Sequence, residues 1–384
     1  MKYFIIAGEA SGDLHASNLI KALKVEDPEA EFSFMGGDLM ASAAGHAPVV
    51  HYRDMAFMGI IQVLMHLGTI RKTAKFIRDE ITKFKPDIII PVDYGGFNMK
   101  YILPFAAQEK IFVAYYILPK VWAWRRWRMK KLCKFTDLGL SILPFEEHYF
   151  AGHPMQTIYV GNPCMDALND VLGKKPDYSI LPNQKEDSRP IIALLAGSRK
   201  QELKDNLPLM LEVAEAYKDY RFVIAGAPGL TMDSYKPYLK AKNGFQIEVI
   251  FDSTYKLLQL ATAALVTSGT ATLETGLIGC PQVVCYKSVG GRLLNFIFDN
   301  FFPISYFSLV NLVTDREVVP ELLGAKCTVS NIKSHLFDIL PGHKGRDQQH
   351  EGYNQLRQKI GADGCSLRAA KAIVHSYRER LGKV

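Results

Sequence analysis

The sequence predicts an α/β protein built from two Rossmann-like domains with parallel sheets. The chain has 384 residues, and a single hydrophobic core rarely grows beyond about 250–300 residues, so two domains are expected. Short apolar runs alternate with helical patterns, which is typical of parallel sheets covered by helices. A polar, turn-rich stretch over 173–189 interrupts this alternation, which then restarts. We expect ligands in a central cleft that both sheets face, outside the carboxyl ends of the strands.

The first domain is predicted over 1–172. Apolar runs of four to eight residues are typical of strands that are buried on both faces of a parallel sheet. Such runs occur at Tyr3–Ala7, Glu31–Met35, Asp87–Val92, Ile111–Tyr116 and Leu138–Leu143. Apolar residues at helical spacing predict a helix after the first run, with Leu14, Leu19, Ile20 and Leu23 as its apolar positions.

The second domain is predicted over 187–345. Its strands are expected at Ile191–Leu195, Arg221–Ala225, Gln246–Phe251, Ala263–Thr267 and Gln282–Tyr286. The remaining segment, 346–384, is predicted to form C-terminal helices that pack back toward the first domain. The last of these helices is expected to start at Ser366, whose hydroxyl could cap it, because apolar residues follow at helical spacing.

The composition and charge are those of a globular protein with a mild excess of positive charge. Hydrophobic residues make up 48% and charged residues 22%, and the formal net charge is +7. This mild excess suits an anionic partner, but it does not choose among phosphate, nucleic acid and an anionic membrane. No apolar run reaches the roughly 18 residues of a membrane span, and the N-terminus does not have the pattern of a signal peptide. The six cysteines lack C-x-x-C spacing, so reduced thiols are expected and zinc is not.

Two strand ends in the first domain carry candidate site residues. The segment Gly8–Asp13 follows the first strand and opens a helix, where amides at the helix start favour an anion or a sugar hydroxyl. The alternative is an ordinary turn in which Asp13 is a helix-start charge. Asp93 follows the strand that ends at Val92 and could act as a general base for a hydroxyl. A turn or capping carboxylate is the alternative for Asp93.

Two strand ends in the second domain carry another set. Arg199, in Gly197-Ser198-Arg199, would suit a diphosphate if its guanidinium lies beside helix-start amides; a surface charge is the alternative. The stretch Thr267–Glu274 could hold phosphate oxygens, and Glu274 could accept hydrogen bonds from ribose hydroxyls or cap its own helix. No D-x-D triplet occurs, so neither a metal nor a cofactor is predicted. Arg199 and helix N-termini would then stabilise the departing charge.

Two further segments predict contact with a membrane surface. The first, Met55–Ile70, is mostly apolar and could dip into an interface or hold acyl chains; a buried core helix is the alternative. Its candidate contacts are Phe57, Met58 and Ile61. The second, Val121–Lys131, interleaves tryptophans with cations, which suits acidic headgroups, single-stranded nucleic acid or a half-buried basic helix. Its candidate contacts are Trp122, Trp124 and Arg125.

The motifs together resemble the signature set of the lipid-A-disaccharide synthases. They occur in order over most of the chain: AGEASGD at Ala7–Asp13, VWAWR at Val121–Arg125, GSR-x-x-E at Gly197–Glu202, SGTATLE at Ser268–Glu274 and VVPEL at Val318–Leu322. The resemblance implies a GT-B fold and an inverting glycosyl transfer without metal. The implied reaction joins UDP-2,3-diacylglucosamine to 2,3-diacylglucosamine 1-phosphate (lipid X), giving lipid A disaccharide 1-phosphate and UDP. The implied location is the cytoplasmic, anionic face of the inner membrane of a Gram-negative bacterium, with no nucleic acid partner.

The resemblance also implies roles for individual residues. Asp93 would be the base that takes the proton from the acceptor 6-hydroxyl. The remaining implied substrate and UDP contacts are Glu9, Ser11, Arg199, Glu274 and Asn311. The loop chemistry adds Gly12, Ser268, Gly269 and Thr270 as candidate contacts. The sequence departs from the family pattern at Gly96, where a second aspartate is usual, and at Asn162, where a histidine is usual. Alternative functions are another GT-B UDP-sugar transferase, a UDP-GlcNAc 2-epimerase, and a non-catalytic membrane- or RNA-binding protein.

Overall fold

The structure is a computed structural model. It describes residues 1–55, 67–121, 128–169, 171–182, 187–239, 247–267, 269–287 and 306–382. The chain divides into two compact units. The first unit is Met1–Asp166 with Ala362–Val384, and the second unit is Ala167–Gly361. The helix over 344–360 therefore belongs to the second unit and the helix over 365–380 to the first, whereas the sequence predicted that all of 346–384 would pack back toward the first domain.

The first unit is built on a seven-stranded parallel sheet of order β3-β2-β1-β4-β5-β6-β7. Its strands are β1 (Lys2–Ala7), β2 (Glu31–Gly36), β3 (Val50–His51), β4 (Ile88–Val92), β5 (Phe112–Tyr116), β6 (Leu138–Ser141) and β7 (Gln156–Tyr159). Alternate residues of β1 enter two different cores: Tyr3 and Ile5 one, Phe4 and Ile6 the other. Because side chains alternate across a strand, a sheet covered on both faces needs apolar residues at every position.

Helices cover both faces of this sheet. They are α1 (Ala10–Glu26), α2 (Asp38–Ala44), α3 (Leu67–Phe84), α4 (Gly95–Phe97), α5 (Leu103–Gln108), α6 (Met129–Lys134), α7 (Glu146–Phe150), α8 (Pro163–Leu168) and the C-terminal helix Cys365–Arg380. A π-helical turn, Asn98–Ile102, joins α4 to α5. The C-terminal helix packs its apolar face into the same core as α1.

The cap of the C-terminal helix differs from the prediction. The side chain of Asp166 accepts hydrogen bonds from the backbone amides of Gly364, Cys365 and Ser366, at 2.6, 3.0 and 3.0 Å. The hydroxyl of Ser366 itself donates to Asp166 at 2.9 Å. A carboxylate from the other end of the unit therefore satisfies the helix-start amides, and Ser366 does not cap the helix.

The second unit is built on a six-stranded parallel sheet of order β10-β9-β8-β11-β12-β13. Its strands are β8 (Ile191–Leu195), β9 (Arg221–Gly226), β10 (Glu248–Phe251), β11 (Ala261–Val266), β12 (Gln282–Tyr286) and β13 (Glu321–Leu323). Its helices are α9 (Lys200–Ala214), α10 (Met232–Tyr235), α11 (Thr254–Leu260), α12 (Thr270–Ile278), α13 (Leu309–Thr314), α14 (Val329–Asp338) and α15 (Lys344–Ile360), so the C-terminal helix is α16. This sheet also separates two cores, since Ile192 and Leu194 face one and Ala193 and Leu195 the other.

Within the described parts of the chain, no helix is both long and apolar enough to cross a membrane. All six cysteines are free and buried in the structure.

Candidate functional site

The predicted site loops leave each sheet at the point where its strand order reverses. In the first unit the chain runs outward from β1 to β3 and returns to β4 on the other side of β1. The second unit does the same around β8 and β11. In a doubly wound sheet the neighbouring strands at this switch point leave a crevice at their carboxyl ends, where ligands bind. The register brings both loops of each pair to the same level, because Ala7 pairs with Val92 and Leu195 with Val266.

The loop after β1 lies directly against the loop after β4. A Cβ atom on Gly8 would come within 2.4 Å of the ring of Tyr94, so only glycine fits beneath that ring. Glu9 is half-buried at the start of α1, Ser11 is exposed and Gly12 is buried. The structure therefore brings Gly8 against the Asp93-Tyr94 turn within the first unit, with Glu9 near enough to raise the pKa of Tyr94. Gly12 serves the packing of α1 on the sheet.

Asp13, the last residue of this motif, has a structural role. Its side chain is 3% exposed. Its Oδ1 atom accepts hydrogen bonds from the amides of Gly37 at 2.7 Å and Met40 at 3.1 Å, and its Oδ2 atom accepts one from Leu39 at 3.1 Å. Asp13 is an acidic residue in the first turn of α1, and its carboxylate also caps the start of α2.

Asp93 lies in a strained turn that its neighbours hold in place. Asp93 and Tyr94 both have left-handed backbones, with φ of 45° and 48°. The amide of Asp93 donates to the carbonyl of Tyr116 at 3.1 Å. Its own carbonyl accepts hydrogen bonds from the Tyr115 hydroxyl at 2.6 Å and the Asn98 side-chain amide at 3.0 Å. Left-handed non-glycine residues are costly and persist where the surroundings fix them, often at functional sites.

The electrostatic surroundings favour Asp93 as a proton acceptor. The residue is exposed, so a hydroxyl can reach it. Partial desolvation by the surrounding protein nevertheless raises the pKa of its carboxyl group, while the Lys120 ammonium and the Tyr94 amide act to lower it. A carboxylate with a raised pKa is a stronger base than an ordinary aspartate.

Gly96 and Asn162, the two positions that depart from the family pattern, differ in burial and in hydrogen bonding. Gly96 is exposed, and a Cβ atom there would meet open space among the described residues, so the position itself supplies no second carboxylate. Asn162 is buried, accepts a hydrogen bond from the Cys164 amide at 2.9 Å and donates to the Ile142 carbonyl at 3.0 Å. Asn162 therefore holds the start of α8 in place.

The loop after β8 presents Arg199 to solvent. Gly197 has φ of 111°, and a Cβ there would lie 2.5 Å from Cβ of Glu202. Glu202 accepts a hydrogen bond from the Ser198 amide at 2.8 Å and lies 3.8 Å from the Arg199 guanidinium, whose side chain is 58% exposed. The G-S-R-x-x-E motif thus combines a glycine turn, a glutamate that holds it, and an outward-pointing arginine at the N-terminus of α9.

The loop after β11 opens α12. Gly269 has φ of 136°, and both Gly269 and Thr270 are exposed. Glu274 is the fifth residue of the helix, beyond the N3 position of a capping box. Its Oε1 atom accepts a hydrogen bond from the hydroxyl of Tyr255 at 2.7 Å. Burial raises the pKa of Glu274, and the bond from Tyr255 opposes that rise. Because Glu274 lies beyond N3 and its carboxylate accepts from Tyr255, it does not cap its own helix.

Asn311 has a different position from the one expected. It is fully buried. Its amide nitrogen donates to the Val319 carbonyl and the Glu321 carboxylate, each at 2.8 Å, and its oxygen accepts from the amides of Val318 and Val319 at 2.8 and 3.0 Å. All hydrogen-bonding positions of the Asn311 side-chain amide are therefore used inside the second unit. The side chain organises the Val318–Leu322 segment and has no free position for a ligand.

Several predicted contacts lie outside the described residues, namely Phe57, Met58, Ile61, Trp122, Trp124, Arg125 and Ser268. Sequence reasoning, in turn, missed four side chains that surround the predicted groups. These are Tyr94, Tyr115 and Lys120 beside Asp93, and Tyr255 beside Glu274. Apart from Tyr94, which adjoins Asp93 in sequence, they are remote along the chain, so no local pattern could have identified them.

Comparison with known proteins decides the family. The family model described as lipid-A-disaccharide synthetase matches residues 3–374. The chain belongs to the lipid-A-disaccharide synthetase family. A lipid-A-disaccharide synthase from Geobacter metallireducens is 33% identical over 392 residues, which cover 100% of this chain and 98% of that protein. Members of this family are glycosyltransferases, and the chain is accordingly a glycosyltransferase of lipid A biosynthesis.

Solved structures show how the fold of this family member is shared. The S. aureus MnaA–UDP structure superposes with a TM-score of 0.69 at 13% identity, covering 100% of this chain and 97% of that one. A kitacinnamycin glycotransferase superposes with a TM-score of 0.63 at 13% identity, covering 98% and 99%. At such identities the likeness concerns the fold alone, which is the two-domain GT-B architecture that the sequence predicted.

Proposed function

We propose that this enzyme joins UDP-2,3-diacylglucosamine to lipid X with inversion at the anomeric carbon, releasing UDP. The observation that carries the proposal is the position of Asp93. In a chain that matches the family over nearly its whole length, Asp93 is an exposed residue in a fixed turn at the switch point of the first sheet. Such a carboxylate can take a proton from an acceptor hydroxyl.

The proposed chemical step is a single displacement. The carboxylate of Asp93 takes the proton of the acceptor 6-hydroxyl as that oxygen forms a bond to C1 of the donor sugar. The bond from C1 to the diphosphate oxygen breaks, and its electron pair leaves with UDP. The raised pKa of Asp93 favours the proton transfer, while Lys120 helps to keep the resting carboxylate ionised.

The second unit supplies groups suited to a nucleotide diphosphate. The exposed guanidinium of Arg199 stands at the N-terminus of α9, and Gly269 and Thr270 open α12. Amides at the start of a helix and a guanidinium both stabilise phosphate oxygens. Glu274, one turn further, can accept hydrogen bonds from ribose hydroxyls. We propose that these groups bind the UDP part of the donor and stabilise it as it leaves.

We further propose that the enzyme works peripherally at the anionic cytoplasmic face of the inner membrane, since both proposed substrates carry acyl chains. The helix α3, whose first four residues are the end of Met55–Ile70, supports this. Its buried face is formed by Ala74, Ile77 and Ile81, while its solvent face exposes Phe76 at 45% together with the cations Arg71, Lys72 and Lys75. Aromatic and cationic side chains on one surface suit acidic headgroups.

The membrane proposal is tested by replacing Phe57, Met58 and Ile61 with serine. In a flotation assay the triple variant should no longer bind anionic liposomes, while its circular dichroism spectrum should remain that of the wild type. Unfolding of the variant would instead make the segment part of the core, and unchanged flotation would remove it from the membrane contact.

The reaction is tested directly with purified enzyme, UDP-2,3-diacylglucosamine and lipid X. Mass spectrometry should detect a disaccharide 1-phosphate, and UDP should appear in equal amount only when both lipids are present. UDP-GlcNAc given alone should remain unchanged. Its conversion to an epimer, without need for an acceptor, would favour the epimerase alternative and overturn the proposal.

A further inference from the structure

Glu274 shares its carboxylate with a side chain from a neighbouring helix. Tyr255, on α11, donates its hydroxyl hydrogen to Oε1 of Glu274, on α12, at 2.7 Å. Both residues are half-buried. The bond is therefore partly shielded from water.

A hydrogen bond of this kind is short and strong. Bonds from a hydroxyl to an ionised carboxylate are about twice as strong as those between neutral groups. A carboxylate offers about four positions for hydrogen bonds. Tyr255 uses one of these positions, on Oε1, and the chemistry of a carboxylate allows further donors at the others.

The bond also orders a flexible side chain before any ligand arrives. A glutamate loses rotamer freedom when it is fixed, and that loss weakens binding if it occurs on association. Tyr255 is itself held by α11, whose residues Leu257 and Leu258 are buried in a core of the second unit. The orientation of Glu274 is thereby set by packing within the unit.

We propose that Tyr255 is a positioning residue for nucleotide recognition, holding Glu274 oriented so that its carboxylate accepts hydrogen bonds from the ribose hydroxyls of UDP. The inference rests on the proposed function, in which Glu274 contacts the nucleotide. It adds a residue outside every motif discussed above, and it identifies the ribose as the part of the ligand that Tyr255 affects.

The test is UDP binding by isothermal calorimetry to wild type, Tyr255→Phe, Glu274→Gln and the double variant. Tyr255→Phe should weaken UDP binding by about 10-fold, as expected for loss of a hydrogen bond to a charged group. In the Glu274→Gln background the same change should have little effect, because residues that act through one another are not additive. Tyr217→Phe is the matched control. Its hydroxyl bonds the Lys333 carbonyl at 2.8 Å in the same unit, and UDP affinity should not change.

Two further readouts separate positioning from mere stability. Wild type should prefer UDP over 2′-deoxy-UDP, and Tyr255→Phe should lose most of that preference. The pH at which UDP binding falls on the acid side should rise in Tyr255→Phe, because the bond from Tyr255 lowers the pKa of Glu274. If Tyr255→Phe does not fold, Tyr255→Leu, which also lacks the hydroxyl, replaces it and must lose the same preference.

The outcomes distinguish this inference from the function on which it rests. The inference is wrong, and the function stands, if wild type binds UDP and Tyr255→Phe binds UDP equally well. The same holds if Tyr255→Phe weakens UDP binding as much in the Glu274→Gln background as in wild type. If wild type does not bind UDP, the proposed function fails as well.

Discussion

Asp13 offers a quantitative test of how the first site loop is built. Replacing it with alanine removes one buried carboxylate that accepts hydrogen bonds from the amides of Gly37, Leu39 and Met40. A hydrogen bond to a charged group contributes about 1.5–3 kcal/mol, and loss of a helix cap costs about 1–2 kcal/mol. These contributions overlap, so Asp13→Ala should destabilise the first unit by about 3–5 kcal/mol.

Asparagine at the same position should be milder. It keeps an oxygen that can accept from Gly37 and Met40, but it turns an amide hydrogen toward the amide of Leu39. We expect Asp13→Asn to cost about 1–2 kcal/mol. Asp38→Ala is the control, because that carboxylate is 70% exposed at the start of the same helix. It should cost at most about 1 kcal/mol.

The assay is native-state hydrogen exchange at the amides of Gly37, Leu39 and Met40, since a chain of two units need not unfold in one step. Urea unfolding monitored by circular dichroism gives the accompanying loss of stability. The capping role of Asp13 would be refuted if these amides in Asp13→Ala exchanged as slowly as in wild type and the free energy of unfolding changed by less than about 1 kcal/mol.

Two further predictions concern the site itself. Lys120→Met should move the acid limb of kcat/KM to higher pH, because the Lys120 ammonium lowers the pKa of Asp93 and the base is lost as pH falls through that pKa. Lys120→Arg keeps the positive charge and should leave the acid limb in place. An acid limb that moves in neither variant would exclude an effect of Lys120 on Asp93. Arg199→Ala should weaken UDP binding by about 10- to 100-fold, the loss expected for one charge-assisted contact to phosphate. Unchanged UDP affinity by calorimetry would remove Arg199 from the site.

Much of the fold could be predicted because its central strands are buried on both faces. Runs such as Ile88–Val92 and Ile191–Leu195 are apolar at every position and fully buried. The strands that the sequence did not predict, namely β3, β7 and β13, lie at the edges of their sheets. They are short and only partly buried, so no continuous apolar run marks them.

The candidate site could be predicted only in part for a related reason. Strand ends bring Asp93, Arg199 and Glu274 to the switch points, and that placement follows from topology. The partners of these and neighbouring groups come from distant sequence. Asp13 bonds an amide 24 residues away, and Asp166 bonds one that is 200 residues away. A local pattern at Ser366 therefore predicted the wrong cap, and the pattern at Asn311 did not reveal that its amide is fully used inside the protein.

The central claim is that Asp93 serves the chemical step while the second unit binds the nucleotide. Asp93→Asn tests it most directly, with single-turnover rates measured by product formation and UDP affinity measured by calorimetry, beside the exposed control Asp54→Asn. We predict a rate lowered by about 100-fold or more, as expected for loss of a general base, with UDP affinity unchanged and a wild-type rate in the control. A near-normal rate in Asp93→Asn, or a parallel loss of UDP binding, would contradict the account.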